Sequence, residues 1–158
     1  MTQRVLFVCL GNICRSPLAE GVFRHLVTER GLDDRIEVDS AGTGGWHVGE
    51  GPDPRSLEVA VRNGVSLDGQ SARRIENGDL ADFHWVVAMD TDNERDLRRL
   101  AEASGEARIH RLRDFDPEGA GDVPDPYYGG PQGFDVVYAM VERSCRALLD
   151  RVEAELGR

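Results

Sequence analysis

The chain has 158 residues, enough for one domain spanning 1–158 with a single core, and its 40% hydrophobic and 30% charged residues are a globular balance. A formal net charge of −10 argues against nucleic acid or an anionic membrane as the main partner. No apolar run approaches the roughly 20 residues of a membrane helix, and the stretch Val5 to Leu10 is too short for a signal-peptide core, so the expected location is cytoplasmic.

Strand and helix signals alternate along the chain. Val5 to Val8 is a continuous β-rich run of the kind found in a buried parallel strand. Ser16-Pro17 then reads as an N-cap followed by proline at the first helical position, with Ala19, Val22, Phe23, Leu26 and Val27 at helical spacing and Gly31 ending the helix. Ile36 to Ser40 is a second strand. Asp53-Pro54 opens a helix that closes near Asn63-Gly64. Trp85 to Met89 is a third strand, Asp92 to Ala103 a helix, and Ile109 to Leu112 a fourth strand. The last helix carries Phe134, Val137, Val141, Cys145, Leu148 and Val152 on one stripe, which makes Cys145 a core residue. This β-α alternation predicts a parallel sheet with helices on both faces, with ligands bound beyond the carboxyl ends of the strands. Gly42 to Pro52 and Asp114 to Gly133 are too rich in Gly, Pro and Asp to be regular, and the second is long enough to suggest function.

Two of only three cysteines fall in "VCLGNICRSP", residues 8 to 17. An odd count makes no disulfide framework and suits a reducing compartment, and no paired Cys or His spacing implies a metal or other cofactor. Cys9 ends the first strand and a helix follows at Ser16-Pro17, so the backbone between can turn its N–H groups toward one point at a helix N-terminus, a cradle for phosphate or another oxyanion. The same field stabilises a thiolate held beneath it. Arg15 supplies a planar, two-pronged donor for two phosphate oxygens. A lone Cys–x5–Arg match is short, and by itself fits a half-buried strand cysteine before an ordinary turn. The strand before it, Gly11 within it and the helix after it favour the reactive site. A phenolate leaving group would also need a proton, and three Asp-Pro pairs offer carboxyls: Asp53, Asp116 and Asp125. Chemistry alone does not choose among them, because Asp-Pro is usually a turn. The four histidines, His25, His47, His84 and His110, show no catalytic grouping and read as surface or satisfied positions.

The stretch "VLFVCLGNICRSPLAEGVFR" resembles the start of the low-molecular-weight protein tyrosine phosphatases. The likeness continues through "VDSAGTGGWHVG", "DPR", "AR", "AMD" and "DPYYGG" into the last helix. The resemblance implies a three-layer α/β sandwich around a four-stranded parallel sheet of strand order 2-1-3-4, with a phosphate-binding loop after the first strand. It implies hydrolysis of phosphotyrosine, in protein substrates and in aryl phosphate monoesters, through a cysteinyl-phosphate intermediate. Cys9 would be the nucleophile, Arg15 the phosphoryl grip and Asp125 the general acid. Leu10, Gly11, Asn12, Ile13 and Cys14 would form the cradle, with Ser16 bonded to the Cys9 sulfur and Ser40 linked to Asn12. Cys14 would be the neighbour that forms a reversible disulfide with the nucleophile under oxidation. Trp46, Tyr127 and Tyr128 would be the aromatic walls. Where many members of that family carry a histidine bonded into the asparagine network, this chain has Gln70, which can donate and accept similarly, so the loop is expected to hold whether or not that bond forms.

Three rival functions are weaker. Thioredoxin-coupled arsenate reductases share the loop but relay oxidation through further cysteines, and none lies between Cys14 and Cys145. Phosphoarginine phosphatases carry threonine where this chain has Ile13. A non-catalytic phosphotyrosine-binding module would more plausibly lack Cys9 or Asp125.

Overall fold

The central strand β1 (Gln3–Cys9) is flanked by parallel partners on both edges. Val5 sits opposite Val38 of β2 (Ile36–Gly42) on one side and opposite Trp85 of β3 (Trp85–Ala88) on the other, and β4 (Ile109–Arg111) pairs with β3 beyond. The order is 2-1-3-4, as expected. This computed structural model describes residues 2–104, 108–126 and 131–157.

Because alternate side chains of a strand face opposite sides of the sheet, the unbroken run "VLFVC" feeds two separate cores. Val5, Phe7 and Cys9 point into the larger one. There they meet helix α1 (Arg15–Glu29), helix α2 (Pro54–Arg62) and the long last helix, which carries Phe134, Cys145 and Leu149. Leu6 and Val8 point the other way, onto Leu80 of a short helix α3 (Asn77–Asp82) and Leu97 of α4 (Thr91–Ser104). The last helix, α5, runs Pro131–Leu156. Among the described residues no helix is long and apolar enough to cross a membrane.

Two local readings need correction. Helix α1 begins at Arg15 with Cys14 at the cap position, so Ser16 is not its N-cap and Pro17 is not its first residue. Pro17 is tolerated because N–H groups of the first turn have no carbonyl partner within the helix, so its missing donor costs nothing. The Ser16 hydroxyl is thereby released for another use. Helix α3 went unread because it buries only Leu80 and shows no apolar stripe; it is defined instead by its start, where the Glu76 N–H donates to Asp79 Oδ2 at 2.8 Å. Gly31 does end α1, with φ +70, and Gly64 follows α2 with φ +77, conformations that favour glycine.

The long irregular segment after β4 is pinned at two points. A 3-10 helix (Leu112–Phe115) leads into Asp116, whose side chain is fully buried and receives Arg113 Nε at 2.9 Å, Arg143 Nε at 2.8 Å and the Glu118 N–H at 2.8 Å. Farther on, the Val123 N–H donates to Met89 O at 2.8 Å, which returns the chain to the end of β3. Asp116 is therefore a structural anchor and not a bystander turn. Burial alone would raise its pKa, but the bonds from Arg143, the Glu118 N–H and Arg113 outweigh it and hold the carboxyl at about 2. A folded-state pKa below the unfolded value gives stability that is present above about pH 4 and is lost as pH falls through about 2. Asp116→Asn is expected to lower the unfolding free energy at pH 7 by about 2 kcal/mol. The difference from the parent should shrink between about pH 4 and 2 in denaturant titrations; a difference that does not change with pH would overturn this account.

Candidate active site

β1 ends at Cys9 and α1 begins at Arg15, and the intervening turn closes on the cysteine sulfur. The Asn12 N–H donates to Cys9 Sγ at 3.3 Å and the Ser16 hydroxyl lies 3.0 Å from it. Asn12 adopts φ +57, the one non-glycine residue of the described chain with a positive φ. Its side chain holds it there: Nδ2 donates to Ser16 Oγ at 2.8 Å and to Ser40 Oγ at 3.0 Å, while Oδ1 accepts the Arg73 N–H at 2.9 Å. Since Asn12 already donates to Ser16 Oγ, the Ser16 proton is left for the sulfur. Ser40 in turn donates to Glu20 Oε1 at 2.5 Å, and Arg24 neutralises Glu20 at 2.6 Å. Cys9, Asn12, Ser16 and Ser40 thus come together as expected. Gln70 does not join them. Its Nε2 donates to Pro17 O at 3.0 Å, and the Arg73 backbone takes the asparagine oxygen instead.

Arg15 is almost wholly buried, with its Nη1 bonded to Asp90 Oδ2 at 2.6 Å and to Val123 O at 2.9 Å. Burial disfavours its charge, yet facing Cys9 and bonded to Asp90 its pKa is raised above the ordinary guanidinium value. Nη2 points the other way and lies 3.7 Å from Asp125 Oδ2. One end of the fork is thus committed to the protein scaffold while the other stays beside Asp125. Asp90 stands at the end of β3 and also caps α4 through the Asn93 N–H at 2.8 Å. The sequence marks it only as the last residue of the "AMD" stretch, where a parallel strand ends, with no role attached.

Cys9, Gly11, Ile13, Cys14 and Arg15 floor a cleft of about 350 Å³, and Leu10, Trp46, His47 and Asp125 form its rim. Trp46, with 72% of its surface exposed, lies with its ring over Gly44, where a Cβ would collide with it, and walls the cleft. Tyr127 and Tyr128 lie outside the described residues. His47 is satisfied as expected, with Nδ1 3.0 Å from Glu50 Oε2, and it also edges the cleft against Gly11. His25 and His84 follow expectation, the first exposed and the second accepting the Arg4 N–H on Nδ1 at 2.9 Å. His110, by contrast, packs against Trp85 and Phe115 with its Nε2 buried and without a hydrogen-bond partner among the described residues. Cys14 is buried, and burial, with Asp53, Cys9 and Asp125 nearby, pushes its thiol well above the ordinary cysteine value. All three cysteines are free thiols. Asp53 caps α2 through the Arg55 N–H at 2.8 Å and pairs with Arg55 Nε at 3.1 Å. Among the described residues no cluster of His, Cys, Asp and Glu could hold a metal ion.

The family model of the low molecular weight phosphotyrosine protein phosphatases matches residues 4–158. The chain belongs to that family. A low-molecular-weight protein-tyrosine-phosphatase of Streptomyces coelicolor is 49% identical over 99% of this chain and 97% of its own length. YfkJ of Bacillus subtilis, a low-molecular-weight protein-tyrosine-phosphatase, is 45% identical over 96% of each chain, and its crystal structure superposes with a TM-score of 0.92 over 98% of this chain and 97% of its own. A Drosophila arginine phosphatase has a TM-score of 0.86 at 34% identity, covering 94% of this chain and 96% of its own. This phosphatase is therefore a hydrolase of the protein tyrosine phosphatase class.

Asp90 is expected to bear on phosphate binding in this phosphatase through Arg15, apart from its cap on α4. Asp90→Asn keeps the size of the side chain but removes a charge-assisted bond, a loss of about 1.5–3 kcal/mol. Inhibition by inorganic phosphate should weaken roughly tenfold or more, read from competitive inhibition constants. An unchanged constant would mean that Val123 O suffices to orient the guanidinium.

Proposed function

We propose that this phosphatase hydrolyses phosphotyrosine in protein substrates, with Cys9 as nucleophile, Arg15 as phosphoryl grip and Asp125 as general acid and then base. The observation that carries the reading is the convergence of these three side chains on one cleft. Phosphate monoester hydrolysis is among the slowest uncatalysed reactions, with accelerations of up to ~10²¹ known. A sulfur nucleophile divides it into two displacements. In the first, the Cys9 thiolate attacks phosphorus, the tyrosyl oxygen leaves and Asp125 gives it a proton. The resulting phosphocysteine is attacked by water, whose proton returns to Asp125, and sulfur is the leaving group. The donors already aimed at Sγ, the Asn12 N–H and the Ser16 hydroxyl, stabilise the negative sulfur in both steps. The turn Leu10, Gly11, Asn12, Ile13 and Cys14 cradles the phosphoryl oxygens, and the exposed Trp46 indole offers a face to the substrate ring. Three free thiols suit work in the reducing cytoplasm.

Specificity for an aryl ester over phosphoarginine rests on Ile13, which presents a buried, apolar, branched side chain to the cleft floor. A guanidinium leaving group would find no hydrogen-bond acceptor in that side chain. Rates on matched phosphotyrosine, phosphoserine and phosphoarginine peptides are expected to fall in that order of preference for phosphotyrosine, and faster turnover of phosphoarginine would overturn the assignment.

Cys9→Ser should abolish turnover while phosphate still binds, because the cradle survives the exchange. Arg15→Lys should be severe as well, since a point charge cannot replace a two-pronged grip. A Cys9→Ser enzyme retaining even a tenth of parental activity would remove Cys9 from the nucleophile's role.

Asp125→Asn should cost on the order of 10²–10⁴-fold on a phosphotyrosine peptide, whose phenol leaves as a strong base. On p-nitrophenyl phosphate, with a much weaker base as leaving group, the loss should be visibly smaller. Equal losses on both substrates would show that Asp125 shapes the loop without donating the proton.

A further inference from the structure

Arginine is the sole strong base in this chain, and the acidic surface takes up nearly all of it. Every other described arginine lies near a carboxylate, a backbone carbonyl or an aromatic ring, from Arg4 with Glu37 to Arg35 with Leu156 O and Arg151 over Phe115. Arg74, exposed, has no such partner among the described residues. An unpaired cation in a protein of net charge −10 stands where a partner from outside can meet it.

Its position is fixed. Arg74 bridges to Gly42 at the end of β2, with Gly42 N–H bonded to Arg73 O and Ile75 N–H to Gly42 O at 2.9 and 2.8 Å. The side chain lies along the next loop, where Cδ is 3.5 Å from the place a Cβ on Gly45 would occupy. It emerges into a groove of about 720 Å³ that is also lined by Thr43, Asn77, Asp96 and Arg99. Thr43 lines this groove and Trp46, three residues on, lines the catalytic cleft. Three residues span at most about 11 Å, so the two depressions are neighbours across one short loop.

We propose that this groove receives an acidic side chain of the substrate polypeptide, an Asp or Glu within three or four positions of the phosphotyrosine. The inference rests on the phosphotyrosine reading of the cleft. Arg74 is the receiving group. Arg99 is a second, weaker one, because Asp96 lies 4.0 Å from it. Glu76 and Asp96 also border the groove, which suits one carboxylate against Arg74 and disfavours a doubly charged phosphate. Solvent-exposed ion pairs are modest in strength, so the preference for an acidic neighbour should be about two- to fivefold.

The test is the ratio of kcat/KM on a phosphotyrosine peptide with flanking Asp or Glu to that on the same peptide with Asn or Gln, measured at low ionic strength. The parent should show a ratio of about two to five, falling toward one at high salt, where the Debye length is only a few ångströms. Arg74→Gln should bring the ratio to one, and Arg74→Glu below one. A parental ratio of one, or a ratio unchanged in Arg74→Gln, overturns the subsite while leaving the phosphatase reading intact. Failure of the parent to hydrolyse either peptide would bring down both.

Discussion

Asn12 is a non-glycine residue held at positive φ, a conformation that costs on the order of 1–3 kcal/mol and persists only where surrounding bonds over-determine it. Here they do. Its N–H, both amide protons that the structure pairs and its carbonyl oxygen are each engaged, with partners drawn from the turn itself, from β2 and from the segment before α3. The curl it enforces puts an N–H and a hydroxyl on the Cys9 sulfur. Cys9, the turn that follows it and Ser16 are thus one mechanical unit, and its rigidity comes from elements far apart in sequence.

That unit is completed by two irregular segments that dock over the carboxyl end of the sheet. The first, after β2, is tied down by the Asp53 N–H to Ile13 O at 2.7 Å and by paired bonds between Gly49, Glu50 and Ala72. It carries Trp46 and His47 to the rim. The second is pinned by Asp116 and by Val123, and two residues beyond Val123 stands Asp125. Val123 O also accepts from Arg15, so the loop bearing the Asp125 carboxyl is bonded directly to the buried guanidinium. The distance of 3.7 Å between Arg15 and Asp125 follows from this shared anchor.

Charge is organised on the same principle. The protein is strongly acidic overall, and a dianionic ester must approach against that field. Arg15 answers it locally, in a buried setting where an electrostatic contact is stronger than on the surface. Asp90 keeps that cation in place without quenching it, because it engages only one end of the guanidinium. Elsewhere the described arginines meet carboxylates, backbone carbonyls or rings, and Arg74 beside the Trp46 loop is the exception among the described residues.

What the sequence by itself determined was local and compositional. The apolar run at Val5 to Val8, the helical stripes, the glycines after α1 and α2 and the Cys9 to Arg15 spacing are all encoded over a few residues, where periodicity and turn chemistry act. The family likeness added the strand order and singled out Asp125 from three Asp-Pro pairs. Tertiary structure decided the rest, because those features depend on residues that meet only after folding. Ser16-Pro17 has the local signature of a cap and first helical residue, yet the helix begins two residues earlier, at Arg15. Asp116 looked like a bare turn until Arg113 and Arg143 arrived from either side. His47 showed no grouping along the chain, yet it edges the cleft because the loop after β2 folds back over Gly11. Gln70 left the asparagine to the Arg73 backbone, a choice set by which donor the packed segment could bring within 3 Å of Asn12 Oδ1.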